Sequence, residues 1–393
     1  MIKRVYADNF RCLVNFELRL DRLNLLLGES GTGKTTVFEV VYRIQQFLAG
    51  SAKVTALFPS TELTRWQSLP ESVYATQGFA SPSSPKQFRW QTIGTQRFEL
   101  EMEIENDTYL YTLVIEHDED RRRARVKQES LSQDGKPLFD FVEGTAQLYH
   151  DDFSRGPEYP FDWTQSGVAV LQPRPDNKRL TRFKTEVAKI IIASIHPMRM
   201  SSESREEDST LSRNMENFVS WYRYISQEHQ GAMFELFQEL TKVLPGFTSF
   251  SLKEAGEAKV LKVLMKQPGG NGRQQLTFDF CELSDGGRSL IALYSVLLGL
   301  KDQGASLFLD EPDNFITLRE LQPWLTTLRD LTGDGIEQAV LISHHPEIID
   351  QLALPSGRWF DRDANGPSRV SNQPRAQVEG LKPSEAMARG WTK

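Results

Sequence analysis

Cysteine is nearly absent: the 393 residues contain two, Cys12 and Cys281. Two thiols far apart in sequence make neither a disulfide framework nor a Cys-based zinc site, and a reducing, cytoplasmic compartment is expected. Long apolar runs are also missing. The longest candidates, such as Ile190–Ser194 and residues 296–300, fall well short of the roughly 18 residues of a membrane-spanning helix. Residues 1–20 alternate charged and apolar side chains and lack a signal-peptide core. Nor is there a basic excess: Lys plus Arg is 46 against 53 Asp plus Glu, a net charge of −7. Such a chain is no bulk polycation, so any contact with nucleic acid has to be local.

What remains is an ordinary globular composition, 39% hydrophobic and 25% charged, long enough for two or three lobes. Ile2, Val5 and Tyr6, then Phe16, Leu18 and Leu20, then Leu23–Leu27 predict three strands, the last ending at Gly28. Val37, Val40, Val41, Ile44, Phe47 and Leu48 recur at helical spacing and predict a helix over 35–49. Residues 51–91, rich in Ser, Pro, Thr and Gln, predict a long irregular connection. Alternation over 98–104 and 109–115, around Glu105-Asn106-Asp107, predicts an antiparallel hairpin. Residues 121–125 carry four arginines, which suit a solvated edge or a phosphate-contacting patch. Further on, 181–194 and 215–243 read as helices, and 250–266 as paired strands turning at Gly256, with a second turn at 269–272.

Gly28-Glu29-Ser30-Gly31-Thr32-Gly33-Lys34-Thr35-Thr36 matches G-x-x-x-x-G-K-[ST] at every defined position, between an apolar strand and an amphipathic helix. Glycines let backbone N–H groups converge, and the helix N-terminus adds positive potential. Gly28, Ser30, Gly31, Gly33, Lys34, Thr35 and Thr36 are therefore candidate nucleotide contacts. Lys34 is placed to reach the terminal phosphates, and Thr35 to ligate Mg²⁺.

Three distal segments complete the constellation. The run Ser306-Leu-Phe-Leu309 ends in Asp310-Glu311-Pro312, a strand delivering adjacent carboxylates: Asp310 for Mg²⁺, Glu311 as general base. Leu283-Ser284-Asp285-Gly286-Gly287-Arg288 opens an apolar helix, so Ser284, Gly286 and Gly287 form a second candidate anion site. Ala339-Val-Leu-Ile342 ends in Ser343-His344-His345-Pro346, where a histidine could meet a γ-phosphate or the attacking water.

These four motifs, in this order, resemble the ABC-type ATPase heads of the SMC, RecF and OLD superfamily. Asn9-Phe10-Arg11 is similar to that family's N-terminal Asn-Phe-Arg/Lys signature, and Leu283-Ser-Asp-Gly286 to its ABC signature. The resemblance covers residues 1–50 and 280–350 most strongly. It implies an α/β P-loop NTPase fold with a mixed sheet core, an antiparallel β subdomain and an inserted helical lobe. It implies ATP and Mg²⁺ as cofactors, Glu311, His344 and Lys34 as catalytic residues, and Arg11 near the nucleotide. His344 becomes the better switch histidine. Ser284 would act in trans across an ATP-sandwiched homodimer, as would Asp313, and a Q-loop glutamine, for which Gln172 is the candidate, would join Thr35 and Asp310 at the metal. Ser30 departs from the asparagine usual at its position, and Asp313-Asn-Phe-Ile316 from the usual Leu-His-Pro-like continuation.

Most of the chain separates Lys34 from Ser284, unlike in transporter heads, and no heptad array lies between them. The expected division is 1–180 and 281–393 as the two parts of one head, with 181–280 inserted. Asp361-Arg-Asp363-Ala-Asn-Gly366 superficially matches a nuclease D-x-D-x-x-G element, but a hairpin turn is the expectation. Two functions remain open: an ATPase working on DNA or a DNA-acting partner in genome maintenance or anti-phage defence, or an ATP-gated scaffold regulating a separate effector nuclease. The tail from Gly380 to Trp391 is expected to form a terminal helix or a docking segment.

Overall fold

The structure is a computed structural model that describes residues 1–64, 94–118, 123–267, 275–363, 366–373 and 380–390. Its centre is a six-stranded sheet in the order Ile190–Ser194, Ser306–Asp310, Gln338–Ile342, Leu23–Leu27, Gly357–Asp361 and Arg369–Ser371. The first five strands run parallel and the last antiparallel.

Parallel strands covered on both faces read as unbroken apolar runs, and these do. Their alternate side chains feed two separate cores. Leu26, Ile190, Ile192, Phe308, Val340 and Ile342 join the core shared with helix Lys34–Leu48 and the N-terminal sheet. Leu25, Leu27, Ala193, Leu307, Leu309, Ala339 and Leu341 join the core shared with helices Asp285–Gly299, Leu318–Leu331 and Pro346–Ser356.

The N-terminal sheet has eight strands, Phe16–Arg19, Ile2–Asp8, Thr95–Ile104, Asp107–Asp118, Arg123–Gln133, Lys136–Val142, Thr145–Tyr149 and Arg155–Pro160, every neighbouring pair antiparallel. The expected hairpin is there: Glu105 and Asn106 both take positive φ, 51° and 73°, as a two-residue turn of the favoured hand requires. Of the arginine cluster, Arg123 and Arg125 stand exposed on their strand, and Arg125 Nε donates to Glu116 at 2.6 Å. Arg121, Arg122, most of residues 51–91 and the turn at 269–272 lie outside the described residues.

Three expectations change. The helix read over 181–194 is two elements, helix Lys178–Ala188 and strand Ile190–Ser194. That strand is buried beside Ser306–Asp310, an environment that favours its three consecutive isoleucines as strand. The expected boundary at 180/181 therefore cuts a helix, and the core sheet continues to Ser194. The long helix over 215–243 is two, Phe218–Glu228 and Gln230–Val243, broken at His229 (φ −127°, ψ 56°). Both bury one face against the helix Asp285–Gly299, and the break turns the chain so that Ile225, Leu236 and Leu240 reach the same core.

The lobe is completed by strands Phe247–Ala255 and Gln275–Asp279 on either side of Ala258–Lys266, with the turn at Gly256 as expected. Gly357–Asp361 folds back onto Arg369–Ser371, which agrees with a hairpin around the D-x-D-x-x-G string. The tail carries the helix Pro383–Ala388, held against Pro346–Ser356 through Ser384 N donating to Asp350 Oδ1 (3.0 Å). Among the described residues no helix is long and apolar enough to cross a membrane.

Candidate nucleotide-binding site

The loop after Leu23–Leu27 depends on glycine at two points. Gly28 has φ 141°, and a Cβ there would lie 2.3 Å from the Phe360 carbonyl oxygen. Gly33 has φ 103°, and a Cβ there would lie 2.6 Å from Ser368 Oγ and 2.9 Å from Cys12 Sγ. Helix Lys34–Leu48 then begins with no side chain capping its first turn, so its backbone donors stay open for an anion.

Lys34 is 5% exposed, and its Nζ donates to the carbonyls of Gly28 (2.7 Å) and Glu29 (2.9 Å). Burial lowers the lysine's pKa, while the nearby carboxylates of Asp310 and Glu311 oppose the shift. A buried ammonium satisfied only by loop carbonyls suits a phosphate: one rotation exchanges neutral acceptors for charged ones.

A cavity of about 610 Å³ opens above this loop. Its floor is Ser30, Gly31, Gly33, Lys34, Thr35 and Thr36. One wall comes from Arg11, Thr61 and Leu63, and the other from the strand ends, with Glu311 and His344. Asp310 lies beneath, accepting from the Thr35 hydroxyl; burial raises its pKa against that bond and against the charges of Arg213 and Lys34. Glu311 sits at φ 50°, its N–H donating to the Ile342 carbonyl at 2.8 Å. This leaves its carboxylate exposed, accepting from Asn314 Nδ2 at 2.9 Å. The two histidines part ways: His344 faces the cavity, while His345 Nδ1 accepts from Glu347 N (3.2 Å) and caps the next helix.

Among the described residues no cluster of three or more His, Cys, Asp or Glu side chains could hold a metal by itself. Thr35 beside Asp310 is instead the sparse protein contribution that Mg²⁺ takes when phosphates and waters supply its other ligands. The donor set thus fits a nucleotide with Mg²⁺.

Gly28 lines a neighbouring pocket rather than this cavity, and two further groups of expected residues are not brought to it. Gln172 is exposed in the turn between helices Gly167–Val170 and Lys178–Ala188, its carbonyl accepting from Asn177 Nδ2 (3.0 Å). It does not line the cavity; the strand whose end adjoins Asp310 is Ile190–Ser194, well past it in sequence. Ser284, Gly286 and Gly287 also stand outside the cavity of their own chain. Ser284 Oγ accepts from Gly287 N at 3.2 Å, capping the helix Asp285–Gly299, and Ser284 itself is exposed.

Sequence reasoning missed five contributors. Arg362 lines the cavity and donates to the Gly31 carbonyl at 3.1 Å. Glu62 grips Arg11 with both oxygens, at 2.5 and 3.1 Å, and Glu39 pairs with both Arg43 and Arg213. None of these pairings carries a local sequence signal except the i,i+4 spacing of Glu39 and Arg43.

A family model described as "AAA domain, putative AbiEii toxin, Type IV TA system" matches residues 23–350. None of the curated proteins matches. Among solved structures, the SMC head bound to the C-winged helix domain of ScpA is similar at 12% identity and TM-score 0.51, covering 98% of this chain and 99% of that one. The SMC head domain from Thermotoga maritima matches at 11% identity and TM-score 0.47, covering 96% and 99%. The chain belongs to that AAA-domain family, and its fold is that of an SMC head domain.

Proposed function

We propose that this chain binds ATP with Mg²⁺ in the cavity, hydrolyses it, and does so as a head-to-head dimer. Lys34 and the open helix start bind the phosphates, and Arg11 lies at the opposite wall. Thr35 and Asp310 would hold Mg²⁺, which supplies charge neutralisation at the phosphates when bound. Glu311 takes the proton of the attacking water, and His344 orients that water or the γ-phosphate.

The observation that carries the dimer is the position of Ser284. Ser284 is exposed and lies outside its own chain's nucleotide cavity, so a second chain is the natural source of a phosphate for it. Exposed apolar side chains stand beside it. Phe315, 55% exposed, backs its carbonyl onto Gly286, and Met198, 82% exposed, follows Pro197, to whose carbonyl Arg288 donates at 2.7 Å. Flanking apolar surface of this kind is suited to burial against a partner.

Turnover would be coupled to DNA or to a DNA-acting partner in genome maintenance or defence. The acidic balance, and the pairing of Arg125 with Glu116, favour the second reading, an ATP-gated scaffold that acts through a protein effector. An SMC head in the solved structures is itself bound to a domain of ScpA.

Light scattering with and without ATP tests the proposal. Glu311→Gln should lower turnover about 10²- to 10⁴-fold and remain dimeric in ATP. Failure of the wild-type chain to bind ATP, or a Glu311→Gln variant that stays monomeric in saturating ATP, would overturn it.

A further inference from the structure

Five side chains form one continuous line of ion pairs along the outer face of the helix Lys34–Leu48. Arg11 is held side-on by Glu62, using Nε and Nη2. Glu62 also accepts from Arg43 Nη2 at 3.3 Å. Arg43 Nε donates to Glu39 at 2.7 Å, one helical turn away, and its Nη1 donates to the Leu57 carbonyl at 2.7 Å. Glu39's second oxygen accepts from Arg213. The three inner members are 12 to 20% exposed in their side chains and Arg213 is 24% exposed, so solvent screens these contacts less than it would surface pairs.

The two ends belong to different parts of the molecule and flank the nucleotide site. Arg11 lines the cavity wall. Arg213 comes from the lobe, in the loop before helix Phe218–Glu228. Its guanidinium lies over the Tyr42 ring at 5.3 Å, and its carbonyl accepts from Ser194 N at 2.8 Å. Ser194 is in register with Asp310, which feels the Arg213 charge. Arg213 therefore fastens the lobe to the P-loop helix and to the strand next to the Asp310 strand, without itself lining the cavity.

Within this line three guanidiniums share two carboxylates. A phosphate arriving at Arg11 is a third anion, and it shifts the pairing along the line: Arg11 loosens on Glu62, Glu62 takes more of Arg43, and Glu39 is left to Arg213. We propose that Arg213 is a positioning residue through which nucleotide occupancy tightens the attachment of the inserted lobe, with Glu39, Arg43 and Glu62 carrying the coupling. The inference rests on the ATP-binding reading above.

The test is a double-mutant cycle on the full chain, titrating a non-hydrolysable ATP analogue, with thermal melts to show that each variant folds. Arg213→Ala should weaken analogue binding about 3- to 10-fold, although it contacts no part of the cavity. In an Arg11→Ala background the same change should alter binding by less than about twofold. Arg213→Lys keeps the charge and should restore part of the loss. Glu39→Gln should reproduce Arg213→Ala, and it serves in its place if that variant does not fold. Hydrogen exchange over residues 205–217 should slow with the analogue in the wild type but not in Glu62→Gln. Additive effects of Arg11→Ala and Arg213→Ala, or equal slowing in Glu62→Gln, would overturn the inference. A wild-type chain that does not bind the analogue would overturn the ATP reading itself.

Discussion

Two helices in this molecule begin almost alike and end up in opposite situations. Lys34–Leu48 and Asp285–Gly299 are both 15 residues long, both open on glycine-containing turns, and both bury one side deeply in a core. Both starts carry the positive end of a helix dipole, but the first has no side-chain cap, whereas Ser284 Oγ caps the second by accepting from Gly287 N. The first start is enclosed by groups from both halves of the chain, among them Arg11, Glu311, His344 and Arg362. The second has its nearest cation occupied elsewhere, since Arg288 is tied to Asp285 and to the Pro197 carbonyl. One helix start lines a cavity of its own chain; the other lines none of it. What separates them is the surroundings, so the role of Ser284 depends on what docks there.

Substitutions at the two starts should break apart along the same line. Lys34→Ala should weaken ATP binding roughly 100-fold, in keeping with the loss of a hydrogen bond between charged groups in a desolvated site. Ser284→Ala should leave the affinity of the single chain within about twofold but lower turnover about 100-fold, the usual cost of removing one donor to developing charge. Calorimetric titration and steady-state phosphate release measure the two quantities separately. If Ser284→Ala weakened binding as much as Lys34→Ala, the second helix start would belong to the same chain's site.

A smaller effect sharpens the comparison, because a cysteine stands by each start. Cys12 lies in the cavity wall, and Cys281 is exposed three residues before Ser284. ATP should slow alkylation of Cys12 several-fold in any chain that binds it. Cys281 should be protected only where the dimer forms, as in Glu311→Gln with ATP, and not in Ser284→Ala. Peptide mass spectrometry reads both rates in one sample. Protection of Cys281 in a monomeric variant would contradict the dimer geometry.

The enclosed start was legible in the sequence because its chemistry is local. The glycines, Lys34 and Thr35 are consecutive, and period-3.6 and period-2 patterns place them between a strand and a helix. Asp310, Glu311 and His344 were legible for the same reason, each following a short apolar run. Ile190–Ser194 was not, since a run buried on both faces has no alternation to tell a strand from a buried helical segment. The break at His229 carries no glycine or proline. Gln172 was misplaced by the same error that hid Ile190–Ser194: without that strand, the end of the sheet beside Asp310 had no sequence address. The ion pairs that brace the first helix join residues far apart in the chain, and ion pairing leaves no periodicity to read.

That bracing gives the least of the expected effects, and it concerns acid. Hydrogen bonds and charge from Arg11, and then Arg43, hold the Glu62 carboxyl below its ordinary value of 4.5. For Glu39 burial pushes upward, but bonds from Arg213 and Arg43 outweigh it and the net shift is also downward. A carboxylate more acidic in the folded than in the unfolded chain contributes stability that is present above the unfolded value. That stability is lost as pH falls from about 4.5 through the lower folded value. Thermal melts across pH 3.5 to 7 should therefore show a steeper acid decline for the wild type than for Glu62→Gln, which has no charge at that position to lose. Both pairs are partly exposed, so the difference should amount to only a few degrees. Ser284→Ala removes no ionisable group and should follow the wild-type decline. Parallel curves for wild type and Glu62→Gln would mean that the line of ion pairs does not brace the first helix start.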